Sequence, residues 1–323
     1  MLSDKYAAAM ASSILFKLPH RSLGNAFSGK GKLTSAQFVA LFKKYDRDGN
    51  GHIDKTELDA LLIDVLKDTE NPSPSPEEIR DLKQKVLEKY DTNFDGKLEM
   101  NELALMLPTE DNFLNEFRNE VANSIMGGKS DARLTSVEFL KIWYHYDKDR
   151  SGYLEIDELE GFLRDLLLHN TEDKEKKQTS PFKSLFKKLS RRFFLAINPT
   201  MISDYKHTII NLYDTNKDGK IELSELSKLL PVEENFLCQF ASKEKSLSKE
   251  VFNDIFSHYD RDGNGEIESE ELIALMKDVL EREGSTIDLT RVQEQSKIIL
   301  EVCDTNKDGK LNREELGLLF SKH

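Results

Sequence analysis

Apolar residues recur along the chain at helical spacing, in short stretches separated by polar, glycine-containing breaks. Phe38, Leu41, Phe42 and Tyr45 form one stripe, and Phe252, Ile255, Phe256 and Tyr259 another. Beyond the breaks the spacing resumes, as in Leu58, Leu61, Leu62 and Val65, or Leu159, Phe162, Leu163 and Leu166. Such spacing lays the apolar side chains along one face of an α-helix, so each stripe predicts a helix that packs by that face into a core. No apolar run reaches the ~18 residues that a membrane-spanning helix needs, and a soluble, globular chain is expected.

The breaks follow a single pattern of 12 residues, found six times: DRDGNGHIDKTE (46–57), DTNFDGKLEMNE (91–102), DKDRSGYLEIDE (147–158), DTNKDGKIELSE (214–225), DRDGNGEIESEE (260–271) and DTNKDGKLNREE (304–315). Every position has a reason in an EF-hand calcium loop. Ca²⁺ is a hard cation that takes oxygen ligands, and side chains at places 1, 3 and 5 supply them at the bend. These are Asp46, Asp48 and Asn50; Asp91, Asn93 and Asp95; Asp147, Asp149 and Ser151; Asp214, Asn216 and Asp218; Asp260, Asp262 and Asn264; and Asp304, Asn306 and Asp308. Place 7 offers its backbone carbonyl, which leaves its side chain free to vary: His52, Lys97, Tyr153, Lys220, Glu266 and Lys310. Place 12 closes the shell with both oxygens of Glu57, Glu102, Glu158, Glu225, Glu271 or Glu315. The glycine at place 6 permits the sharp turn at positive φ. The apolar residue at place 8 points away from the ion and should pair with a second loop, so that six hands make three pairs.

The net charge of −13 then acquires a meaning. Counting places 1, 3, 5, 9 and 12, the first five loops carry four carboxylates each and the last carries three, because Asn312 stands at its place 9. Up to six Ca²⁺ ions would offset most of the negative charge, with Mg²⁺ as a competitor, whereas nucleic acid is a poor partner for such a surface. Fewer or weaker ligands predict lower affinity at the third loop, with Ser151, and at the sixth.

LPTEDNF follows the second hand (107–113) and LPVEENF the fourth (230–236), which groups the hands in twos. Proline and the acids behind it read as a helix boundary with a packing phenylalanine and no evident chemistry. Six hands with LPxExNF after the second and fourth resemble the calbindin, calretinin and secretagogin family over roughly residues 33–320. The resemblance implies an all-α fold, six helix-loop-helix units arranged as three pairs in one compact array, and calcium buffering with some sensing through partner proteins. The expected divisions are an extension at 1–32, hands one and two at 33–125, hands three and four at 126–240, and hands five and six at 241–323. The chain departs from the family in keeping all six loops intact, in its N-terminal extension and in a longer segment between the third and fourth hands, which counts against a role confined to buffering.

That segment contains SPFKSLFKKLSRRFFL (180–195), cationic in an otherwise acidic chain. Phe182, Leu185, Phe186, Leu189 and Phe193 share one helical face, with lysines and arginines opposite. The insert (180–198) can pack on the hands, lie on an anionic membrane surface, or engage a calcium-dependent protein partner. Cys238 and Cys303 lack metal spacing and read as small buried residues in a reducing cytoplasm. No nucleophile, base or open metal site suggests an enzyme. The sequence therefore predicts a cytoplasmic calcium-binding protein, mainly a buffer, with a sensor that exposes an apolar surface as the alternative.

Overall fold

The computed structural model describes residues 32–67, 74–117, 133–171, 198–240, 248–284 and 288–320. The N-terminal extension up to residue 31, the connection at 127–131 and the basic helix expected at 180–195 lie outside these residues.

Each loop lies between two helices. The first hand runs α1 (Ser35–Tyr45), β1 (His52–Ile53) and α2 (Lys55–Lys67), and the second α3 (Pro76–Tyr90), β2 (Leu98–Glu99) and α4 (Met100–Met106). The third is α5 (Ser136–Tyr146), β3 (Tyr153–Leu154) and α6 (Ile156–Thr171), and the fourth α7 (Pro199–Tyr213), β4 (Ile221–Glu222) and α8 (Leu223–Leu229). The fifth is α9 (Lys249–Tyr259), β5 (Glu266–Ile267) and α10 (Ser269–Arg282), and the sixth α11 (Leu289–Cys303), β6 (Leu311–Asn312) and α12 (Arg313–Phe320).

Local chemistry sets where the helices start. Thr34, Ser75 and Thr135 each accept from the backbone three residues on, and Gln37, Glu78 and Glu138 return a bond to the cap's own N–H. Pro76 occupies the first turn of α3, where no N–H is needed. The stripes are buried as expected, with one exception. Phe252 in α9 is half-buried, whereas its counterparts Phe38 and Phe139 are fully covered.

The place-8 residues form the predicted pairs. Ile53 faces Leu98, Leu154 faces Ile221 and Ile267 faces Leu311 in three antiparallel two-stranded sheets, and all six side chains are buried. An isolated two-stranded ribbon is marginal in water, so these pairings depend on the helices packed around them.

The helices gather into two units. One holds the first two hands with α6 and most of α7; the other holds α5, β3, the fourth loop, α8 and the last two hands. Both use the same interlock. In the first unit, Ser35 at the start of α1 donates to Asp165 of α6 at 2.6 Å, both groups being buried. Arg164 donates to the Ser35 hydroxyl at 3.0 Å. In the second, Ser136 at the start of α5 lies 2.9 Å from both carboxylate oxygens of Asp278 in α10, beside Lys277 and the Tyr259 hydroxyl. A buried carboxylate is costly unless hydrogen-bonded and paired, and each of these has both kinds of partner.

The LPxExNF connectors take part, contrary to their reading as mere helix boundaries. Asn112 donates to the carbonyl of Asp165 and Asn235 to that of Asp278, each at 2.7 Å. Upstream, Leu33 bonds to Pro108 O and Glu110 N, and Leu134 to Pro231 O and Glu233 N, through the backbone. Each connector thus ties the entry of one odd hand to the exit helix of the next. Phe236 packs by stacking on His258, with ring centroids 3.7 Å apart. The half-burial of Phe252 follows from the same logic. The α9 helix begins with Lys249 where α1 and α5 begin with serine.

Cys303 is buried, but Cys238 is exposed, since it lies on the outer side of a 3-10 turn at Phe236–Phe240. No helix among the described residues is long and apolar enough to cross a membrane.

Gly161 marks the tightest approach in the first interlock: a Cβ there would lie 2.5 Å from the backbone nitrogen of Ala36. Gly161→Ala should therefore destabilise the first unit by ~2 kcal/mol through forced separation of α1 and α6. The counterpart in α10 is Ala274, fully buried, so the second interlock already holds the Cβ that the first excludes, and Ala274→Gly should cost ~2 kcal/mol through helix propensity and the lost methyl. Urea denaturation of each variant against the natural chain checks that both substitutions, made in opposite directions, destabilise.

Candidate metal centre

Each loop is built on the ends of its two helices. Place 1 is the C-cap of the incoming helix in five loops, its N–H bonding back to the carbonyl four residues earlier, as Asp46 does to Phe42 and Asp260 to Phe256. Its carboxylate thus adds to the negative end of a helix dipole, which favours a cation there. In all six loops the place-1 carboxylate also accepts from the place-6 glycine N–H: Gly51 to Asp46, Gly96 to Asp91, Gly152 to Asp147, Gly219 to Asp214, Gly265 to Asp260 and Gly309 to Asp304. Those glycines have φ between +79° and +88°, the left-handed conformation that the turn requires.

The glutamate at place 12 is aimed by the exit helix. In five loops one oxygen accepts from the place-2 N–H and the other from the place-9 N–H, as Glu57 does from Arg47 and Asp54. The second bond is half of a capping box, so the helix start and the ligand share one carboxylate. In the even loops threonine at place 2 adds its hydroxyl: Thr92 to Glu102, Thr215 to Glu225 and Thr305 to Glu315.

In five loops places 3 and 5 pair a carboxylate with an amide. Asn50 donates to Asp48 and Asn264 to Asp262 in odd loops, while in even loops Asn93, Asn216 and Asn306 donate to Asp95, Asp218 and Asp308. The amide relieves repulsion between ligands that must sit close together. Odd loops, with Asp at place 3, concentrate charge most: Asp46, Asp48 and Glu57, Asp147, Asp149 and Glu158, and Asp260, Asp262 and Glu271 each bring carboxylate oxygens within 4.8 Å of one another. Burial, reinforced by Glu57 and Asp48, raises the pKa of Asp46; burial likewise raises Asp147 and Glu271. Glu99 and Glu222 at place 9 are raised by burial and by the place-12 glutamates Glu102 and Glu225.

This arrangement fits a cation on an independent ground. Asp46 Oδ1 and Asp260 Oδ1 are buried and accept no hydrogen bond among the described residues. A buried carboxylate oxygen without a donor is expensive, and a bound cation removes that cost.

The third loop differs. Elsewhere the place-5 oxygen accepts from the place-7 N–H, as Asn50 does from His52 and Asp308 from Lys310. Ser151 instead donates to the carbonyl of Tyr153 at 3.0 Å, so two candidate ligand oxygens bond to each other. In the sixth loop Asn312 Oδ1 accepts from the N–H groups of Glu314 and Glu315, acting as a helix cap.

Some participants escaped the sequence reading. Trp143 is fully buried and donates its indole N–H to Asp147 at 3.1 Å. Place 4 is left-handed in every loop, at Gly49, Phe94, Arg150, Lys217, Gly263 and Lys307, with φ from +58° to +70°. Glycine at that place in DRDGNG is the one available signal. The place-7 side chains are not idle either: Lys97 lies 2.6 Å from His52, Lys220 3.6 Å from Glu155, and Lys310 2.9 Å from both Glu266 and Glu268.

Trp143 is the sole tryptophan, so its emission reports the third loop. Ser151→Asp should shift the calcium midpoint of that emission about fivefold lower, by replacing an internally bonded hydroxyl with a charged ligand worth ~1 kcal/mol. A fluorescence titration of the variant against the natural chain checks this.

Comparison with known proteins agrees with the geometry. Residues 36–107 and 207–277 match the family model of an EF-hand domain pair, and 297–320 that of an EF hand. The chain is 37% identical over 328 residues to calbindin-32 of Drosophila melanogaster, covering 98% of this chain and 96% of that one. It is 36% identical to calretinin of Rattus norvegicus (90% and 93% covered) and 33% identical to secretagogin of Xenopus laevis (89% and 95% covered). The chain belongs to the calbindin, calretinin and secretagogin family of calcium-binding EF-hand proteins, which are not enzymes.

Proposed function

We propose that each of the six loops binds one Ca²⁺, through side chains at places 1, 3, 5 and 12 and the carbonyl at place 7, and that the chain acts mainly as a calcium buffer in the cytoplasm. The observation that carries this reading is the pair of buried, donorless oxygens on Asp46 and Asp260, in loops where three carboxylates converge. An ion replaces their mutual repulsion with attraction and holds the two helix ends together. Mg²⁺ competes for the same oxygens but keeps more of its water. At free calcium a hundredfold above Kd, each site adds ~2.7 kcal/mol of stability. The two-hand divisions 33–125, 126–240 and 241–323 are the calcium-binding modules in this reading.

Buffering is favoured by the methionines. A sensor commonly exposes a methionine-rich groove, whereas Met100, Met106 and Met276, which follow the loops, are all buried. A second reading, a calcium-dependent sensor, draws on Ile298, Val302 and Leu318 of the sixth hand, which are 47%, 60% and 45% exposed. The cationic segment at 180–195 is then the contact with a protein partner or an anionic membrane.

A hydrophobic dye separates the two. Adding calcium to the full chain at physiological Mg²⁺ should change dye fluorescence by less than about twofold if the protein is a buffer. A rise of tenfold or more, abolished by deleting 180–195 or by replacing Ile298 and Val302 with serine, would make it a sensor.

A further inference from the structure

We propose that the place-7 lysines of the even loops, Lys97, Lys220 and Lys310, are tethered cations that hold down the calcium affinity of the odd loop each one faces, most strongly in the third pair. The proposal deepens the reading of the loops as calcium sites and rests on it.

The strand register dictates the juxtaposition. His52 pairs with Glu99 and Ile53 with Leu98; Tyr153 pairs with Glu222 and Leu154 with Ile221; Glu266 pairs with Asn312 and Ile267 with Leu311. One step further along each ribbon, place 7 of the even loop stands opposite place 9 of the odd loop, setting Lys97 against Asp54, Lys220 against Glu155 and Lys310 against Glu268. Residues opposed across a ribbon lie close enough for their side chains to interact. Place 9 also faces the ion, often through a water. An ammonium group there meets the same carboxylate that calcium uses.

The three contacts form a series. Lys310 Nζ lies 2.9 Å from Glu268 Oε2 and 2.9 Å from Glu266 Oε2, engaging places 9 and 7 of the fifth loop together. Lys220 reaches Glu155 at 3.6 Å and lies over the Tyr153 ring, 3.5 Å from its centroid. Lys97 meets His52 Nε2, not a carboxylate. The charge is one-sided: odd loops carry His, Tyr and Glu at place 7, and lysine there is confined to the even loops. In the third pair Asn312 replaces the acid that would otherwise oppose Glu266.

When Ca²⁺ enters the fifth loop, Glu268 turns its charge to the ion, and Lys310 loses a partner while facing a nearby divalent cation. Both effects weaken binding at that loop. A lysine whose role was only to fasten the pair would act in the opposite sense, because its removal would loosen the loop and lower affinity.

The test is a calcium titration of the full chain, following the backbone amide resonances of Gly265 for the fifth loop and Gly309 for the sixth, at 0.1 M and 1 M salt. Lys310→Met should raise the affinity of the fifth loop about three- to tenfold at low salt, with a smaller gain at high salt. Lys310→Arg, which keeps the charge, should titrate like the natural chain, and Lys220→Met should raise the third loop's affinity by less. Equal or weaker binding at Gly265 in Lys310→Met, or an Arg variant that shifts as far as the Met variant, would overturn the proposal. A Gly265 resonance that ignores calcium in the natural chain would overturn both the proposal and the calcium reading of that loop. Sharp calcium-free spectra of the three variants, superimposing on that of the natural chain outside the substituted pair, confirm that they fold.

Discussion

Carboxylates crowded at the junction of two helix ends are the constraint on which this chain is organised. Each loop sets the end of one helix, the N-terminal turn of the next and three or four acids within a few residues. Backbone N–H groups, the place-6 glycine and the amide at place 3 or 5 lessen the repulsion without removing it. Burial raises several of these carboxyls above their ordinary range, and oxygens on Asp46 and Asp260 lack a donor. The folded protein therefore presents sites whose electrostatic cost a divalent cation relieves, and metal affinity follows from that cost.

A separate set of polar contacts joins the hands. Ser35 with Asp165, and Ser136 with Asp278, bury one carboxylate per interlock, and the asparagines of the two connectors fasten the carbonyls of those same aspartates. Apolar faces alone would let helices slide, because hydrophobic contact is non-directional. A serine that must meet a buried carboxylate admits one alignment. The fifth hand lacks the device, because Lys249 takes the serine's place.

Much of this was legible in the residues. The six loops, their pairing through place 8 and the helices on either side follow from period and spacing, because those features are local and repeat. The departure at the third loop was also readable as a substitution, Ser151, although its bond to the Tyr153 carbonyl was not. The connector's role was not. Asn112 and Asn235 bond to carbonyls 53 and 43 residues further on, and nothing in LPxExNF names its acceptor. Trp143 is core, and that its indole also reaches Asp147 depends on a side-chain direction that spacing does not reveal. The place-7 side chains seemed free because the ion takes their carbonyls, and only the register between two loops shows what the lysines face.

The central claim is that all six loops hold calcium, and counting ions tests it most directly. Titration calorimetry of the full chain at physiological Mg²⁺ should return close to six Ca²⁺ per chain, with the third and sixth loops filling last. Fewer than four ions would contradict the account, because at least one of the first, second, fourth and fifth loops, which carry the full set of ligands, would then be empty.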